Sequence, residues 1–173
     1  MKHTLVPALA LLLLTQCKKA DPESALPPET QTGANTFGCL LNGQAWTPQG
    51  NDGFANYSVS YDPTYKKGSL SVSAYRFSGN AADHQTVGFS SDSVRSTGTY
   101  VFKKGSLNQA GIVIRTTNCQ YYSQDPGVYC KGQFTITRLD RSAGIISGTF
   151  AFTLYKPGCD SVRVTQGRFD RQL

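Results

Sequence analysis

Ser69-Leu70-Ser71-Val72-Ser73-Ala74-Tyr75 alternates small polar and apolar residues without a break. Successive side chains of an extended strand point to opposite faces, so this stretch reads as a strand with one wet face and one buried face. Ser58-Val59-Ser60-Tyr61 keeps the same rhythm, with turn signals at Asp62-Pro63 and Lys67-Gly68 between the two. Working outward, further apolar or alternating runs occur at 85–89, 99–102, 111–115, 133–137, 149–154 and 161–165. They are separated by Asn42-Gly43, Ser78-Gly79-Asn80, Lys104-Gly105, Asp125-Pro126-Gly127 and Pro157-Gly158. No helical period interrupts the series. It predicts an all-β chain of about 8–10 short strands, an antiparallel β-sandwich or a flattened β-barrel.

Composition agrees. Charged residues make up 16% of the 173, and there are 17 Gly and 8 Pro, which excludes a coiled coil and a charge-rich disordered chain. The length suits one folded domain, placed at 37–173. Trp46, just beyond the Asn42-Gly43 turn, is expected in its core.

The first residues have a different character. Lys2 and His3 precede an apolar run from Leu5 to Leu14, the pattern of a secretory signal peptide too short to span a bilayer, assigned to 1–16. Leu14-Thr15-Gln16-Cys17 resembles a lipobox, which implies that Cys17 carries a diacylglycerol and becomes the mature N-terminus. Stable anchoring needs more than one acyl chain, which such processing supplies. From 18 to 36 there are three prolines and little to bury, so 17–36 is expected to be a lipidated cysteine followed by a mobile tether spanning about 25 Å. Both glutamates of the protein, Glu23 and Glu29, lie in this segment.

Four cysteines remain. In an exported domain they suggest two disulfides. Three connectivities are open to them; the turn at Asp125-Pro126-Gly127 can fold back as a hairpin and bring Cys119 to Cys130, with Cys39 and Cys159 then joined. No Cys-x-x-Cys spacing is present, so no metal site is expected of them.

Signals of catalysis are sparse. His84 is the one histidine beyond the leader, and a Ser-His-Asp arrangement would need it together with Asp83 or Asp92. No Gly-x-Ser-x-Gly elbow, phosphate loop or His-Glu-x-x-His motif occurs. The folded region has no glutamate, so paired-carboxylate chemistry would fall to its eight aspartates, of which Asp62, Asp125 and Asp140 sit in turns and are expected to cap their own backbone. Within 37–173 the 14 Lys and Arg outnumber the eight Asp, and Lys66-Lys67 and Lys103-Lys104 read as solvated hairpin tips. No nucleic-acid-binding pattern accompanies the charge. The one binding signal is Tyr121-Tyr122, inside the loop that Cys119 and Cys130 would close. In an extended segment one ring at most is free, and the alternative has one tyrosine closing the core and the other packing at its edge.

Several stretches together resemble a family of uncharacterised Bacteroidetes lipoproteins. These are Cys17-Lys18-Lys19, the Asn42-Gly43-Gln44-Ala45-Trp46 region, Gly132 to Asp140, Ile145 to Phe152, and the closing Gly167-Arg168-Phe169-Asp170. The resemblance implies a β-structured envelope lipoprotein and carries no activity or cofactor. The expectation is a non-catalytic protein held at the outer membrane by its N-terminal lipid, with a binding or structural role toward an envelope protein or a glycan. Its alternatives are a surface glycan-binding accessory protein through Tyr121 and Tyr122, and a hydrolase built on aspartates and His84.

Overall fold

A computed structural model describes residues 21–173; the leader, Cys17 and the processing expected there lie outside the described residues. In chain order the strands are β1 (Thr36–Leu41), β2 (Gln44–Trp46), β3 (Tyr57–Asp62), β4 (Ser69–Arg76), β5 (Gln85–Ser91) and β6 (Gly98–Phe102). They continue as β7 (Asn108–Ile114), β8 (Cys119–Tyr122), β9 (Tyr129–Asp140), β10 (Ile145–Tyr155) and β11 (Val162–Gln172). They form two antiparallel sheets, a six-stranded one ordered β2-β1-β11-β10-β9-β6 and a five-stranded one ordered β3-β4-β5-β7-β8. The sheets do not close on one another, so the architecture is a sandwich and not a barrel. The quoted Ser/apolar stretch is β4, with Leu70, Val72 and Ala74 buried and Ser71 exposed. No helix among the described residues is long and apolar enough to cross a membrane.

Inward positions of the two sheets meet in an aromatic core. Phe89 of β5 packs against Phe102, Phe134, Phe150 and Phe169, with ring centroids 4.9 to 6.2 Å apart. One side chain of the smaller sheet thus touches four strands of the larger. Trp46 is buried as expected, and its indole N–H donates to Gln85 Oε1 across the layers at 2.8 Å. The Tyr57 hydroxyl makes a second crossing, donating to the Asp170 carbonyl at 3.3 Å.

The third tie between the layers is a disulfide, and it corrects the expected pairing. Cys119 joins Cys159, while Cys39 and Cys130 have no disulfide partner among the described residues. The predicted hairpin does not form because Cys119 lies on β8 and Cys130 on β9, which belong to different sheets. Cys39 sits inward on β1 opposite Trp46, fully buried. Likewise Lys103-Lys104 is no hairpin tip: it lies where the chain crosses from β6 in one sheet to β7 in the other, whereas Lys66-Lys67 does turn β3 into β4.

The described part of the expected tether is bound to the domain. Residues 21–35 form a strap over the outer face of the six-stranded sheet. It begins with a short 3-10 turn, Pro22–Ala25, capped by the Asp21 carboxylate accepting from Glu23 N–H. Leu26 is buried there, and Pro27 lies so close to Gly38 that a Cβ at that glycine would come within 2.6 Å of the proline ring. Arg168 binds Glu23 at 2.8 Å and donates to the Pro27 carbonyl, with Glu29 at 4.0 Å. Arg138 donates to the Gln31 carbonyl.

Asp170 fixes the far end of the strap. Its buried carboxylate accepts from Thr30 Oγ1 (2.7 Å), Thr32 N–H (2.9 Å), Gly33 N–H (2.9 Å) and Ala34 N–H (3.0 Å), and from Ser147 Oγ (2.6 Å) beneath. Burial pushes this carboxyl up, but the hydrogen bonds from Ser147, Ala34, Thr30 and Thr32 outweigh it and hold it well below the usual carboxylate range. Composition alone misreads the strap, because Leu26 is the one apolar side chain it buries and much of its attachment runs through backbone N–H and carbonyl groups.

Two outcomes are expected. With its carboxyl depressed in the folded state, Asp170 contributes stability that is complete above the unfolded-state value of about 3.9 and is lost as pH falls from there through the folded value. Denaturant melts of Asp170→Asn should therefore show a loss of about 3 kcal/mol at neutral pH and a shallower acid limb than the parent chain. Non-reducing peptide mapping should recover Cys119 linked to Cys159, and replacing both with alanine should cost up to about 4 kcal/mol by the loop-closure argument.

Candidate functional site

On a half-buried sheet the outward positions are free to vary, and in the five-stranded sheet most of them are small. Read across the register, Ser58, Ser73, Gly88, Gly111 and Tyr122 form one row, and Ser60, Ser71, Ser90 and Gln109 the next. A third row places Thr86 beside Val113 and Gln120. The result is a shallow trough of about 300 Å³ floored by hydroxyls and bare backbone, with Tyr122 as its wall. A second hollow shares Thr86, Val113 and Tyr122 and extends the trough toward His84, Arg115, Asn118 and Gln120.

Tyr121 and Tyr122 do not project from a disulfide-closed loop. They are consecutive residues of β8 and face opposite ways. Tyr121 is buried and donates its hydroxyl to the Asp160 carbonyl at 2.7 Å; burial, with Asp160 nearby, raises its pKa. Tyr122 is 46% exposed and rests on Gly111, where a Cβ would come within 3.1 Å of the ring. The absent side chain at Gly111 lets the ring settle against the strand. A hydrogen-bonding floor beside an exposed aromatic ring suits a flat, hydroxylated ligand.

At the trough's other end His84 Nε2 meets Asp52 Oδ2 at 3.2 Å. The carboxylate partner is thus Asp52, and neither of the expected aspartates takes that place. Asp83 accepts from Ser78 Oγ, and Asp92 is held by Lys66 at 2.5 Å and by Ser69. The other ring nitrogen of His84 has Thr86 Oγ1 at 3.5 Å, the outer limit of a hydrogen bond. The imidazole stacks on Tyr75, whose hydroxyl donates to the Phe54 carbonyl and accepts from Asp52 N–H. These contacts brace the loop that joins β2 to β3.

The remaining aspartates and thiols have structural settings. The Asp62 and Asp140 side chains accept from backbone N–H groups two to three residues ahead, as turn caps do. Asp125 lies in the turn after β8, its N–H donating to the Tyr122 carbonyl. Burial pushes the Cys39 thiol up to about 12 against the attraction of Arg76, and pushes Cys130 up to about 11. Neither is a thiolate at neutral pH. Among the described residues no three His, Cys, Asp or Glu side chains gather as a metal site.

The sequence reading missed the trough floor. Its signal was present in the serine rhythm of β3 and β4, which was read as a wet face and nothing more. Gln109, Arg115 and Gln120 carried no signal.

Fold and site together define a two-layer antiparallel β-sandwich domain with a small-residue surface trough. The chain belongs to the family described as a domain of unknown function (DUF6252), whose sequence model matches residues 50–171. That span holds the trough, the disulfide and Asp170, while the strap, β1 and β2 precede it. No curated protein and no solved structure matches the chain.

His84→Ala removes one brace of a loop whose Phe54 is 81% exposed. A solvent-screened pair of this kind adds little to global stability, so thermal stability should barely change. Chymotryptic cleavage after Phe54 should quicken by up to about five-fold, measured by timed digestion and mass spectrometry.

Proposed function

We propose that this is a non-catalytic, lipid-anchored protein of the cell envelope that binds a neutral glycan along the outer face of its five-stranded sheet. The observation that carries the reading is the trough: serine and threonine hydroxyls and glutamine amides beside the exposed ring of Tyr122. Sugars present alternating hydroxyl edges and apolar ring faces, and such a surface offers both kinds of partner. The anchor rests on the leader and Cys17, and the outer membrane as its location on the resemblance to envelope lipoproteins. The absence of catalysis rests on the settings of the candidate groups. The thiols are un-ionised, and the His84 ring is committed to Asp52 and Tyr75.

The test is titration calorimetry with cellohexaose, maltohexaose and xylohexaose, backed by amide shift mapping. Binding of one of them with shifts confined to β4, β5, β7 and β8 is expected, weakened about tenfold by Tyr122→Ala. Shifts elsewhere, or affinity unchanged in that variant, would sink the reading.

A further inference from the structure

The strap places the membrane as well as the chain. It leaves the domain at the β2 edge of the six-stranded sheet's outer face, where Glu23 meets Arg168 and Leu26 and Pro27 cover Gly38. Asp21 is the first described residue of this bound segment, and only Lys18, Lys19 and Ala20 separate it from Cys17. Four backbone steps reach at most about 14 Å. A lipid on Cys17 therefore cannot stand off from the domain as a tether of the whole 18–36 segment would; it draws this face down to the headgroups.

The open part of the same face has the chemistry of a bilayer interface. Tyr129 and Tyr155 stand directly opposite one another on β9 and β10, 53% and 46% exposed. One step further along the outward register, Lys131, Thr153 and Arg163 form a row across β9, β10 and β11. Neither Lys131 nor Arg163 takes part in an ion pair among the described residues, whereas the strap's two glutamates both face Arg168. Exposed tyrosines beside unpaired cations suit the headgroup layer, the rings at its depth and the cations against anionic phosphates.

We infer that the domain lies against a lipid surface through the outer face of its six-stranded sheet, with Tyr129, Tyr155, Lys131 and Arg163 in contact with headgroups and the five-stranded sheet turned away. This inference rests on the lipid anchor of the proposed function and is independent of what the trough binds.

The experiment uses the full lipidated chain on vesicles of phosphatidylethanolamine and phosphatidylglycerol. Tyrosine iodination and lysine acetylation, read by peptide mass spectrometry, are compared with the same protein in detergent-free solution after its lipidated N-terminus is removed by protease. Labelling of Tyr129, Tyr155 and Lys131 should fall at least threefold on the vesicles, with Tyr65, Tyr122 and Lys67 unchanged. Equal labelling on both faces, or protection of Tyr122, overturns the orientation. The mass of the N-terminal peptide separates the two failures. An unmodified Cys17 removes the anchor and the orientation with it, whereas a diacylated Cys17 with even labelling removes the orientation alone.

Discussion

One carboxylate determines how the first fifteen described residues relate to the rest. Asp170 is buried on the outer face of β11 and gathers hydrogen bonds from Thr30, Thr32, Gly33, Ala34 and Ser147. A buried charge of this kind is tolerable only when its lone pairs are filled, and here most of the filling comes from a segment more than a hundred residues away in sequence. The dependence is mutual. Without the carboxylate the strap keeps Arg168, Arg138, the Asn35 contact and one buried leucine, and without the strap Asp170 keeps only Ser147 of these partners. The neighbouring Phe169 enters the aromatic core from the same strand, so the anchor of the strap and the packing of the sandwich share a few consecutive residues.

The two layers consequently have different outer faces. The six-stranded sheet is partly roofed by the strap, and what it leaves open is threonine, tyrosine and unpaired cations. The five-stranded sheet is uncovered and lined with serine, glycine and threonine. Phe89, Trp46 and the Cys119–Cys159 bond tie the two layers together. On the proposed reading one face is for the membrane and the other for a ligand, at opposite sides of the same sandwich.

Strands were legible where alternation was local. β3 and β4 are visible in the Ser-x-Ser rhythm because each residue's environment depends on its own strand's two faces. β8 was not recognised: four residues are too few for a pattern, and Tyr121 and Tyr122 look alike until the sheet separates them. The cysteine pairing failed for a related reason. Closeness along the chain predicts contact only when consecutive strands share a sheet, and between β8 and β9 the chain changes sheets. The closing Gly167-Arg168-Phe169-Asp170 carries part of the family resemblance, yet nothing in those residues tells that two of the four hold a distant segment. Backbone donors leave no trace in composition. For the trough, small outward residues signalled exposure, while their alignment into rows needed the register.

The order of the cysteines has a consequence for biogenesis. On the proposed envelope location, a chain exported N-terminus first presents Cys39, Cys119 and Cys130 to an oxidant before Cys159 has appeared. The native partner of Cys119 is the last thiol to arrive, and the wrong ones are already at hand. Correct oxidation therefore waits for β9 and β10 to pair and draw Cys130 into the sheet, or is reached by reshuffling afterwards. On that reading the covalent bond records completed folding and does not direct it.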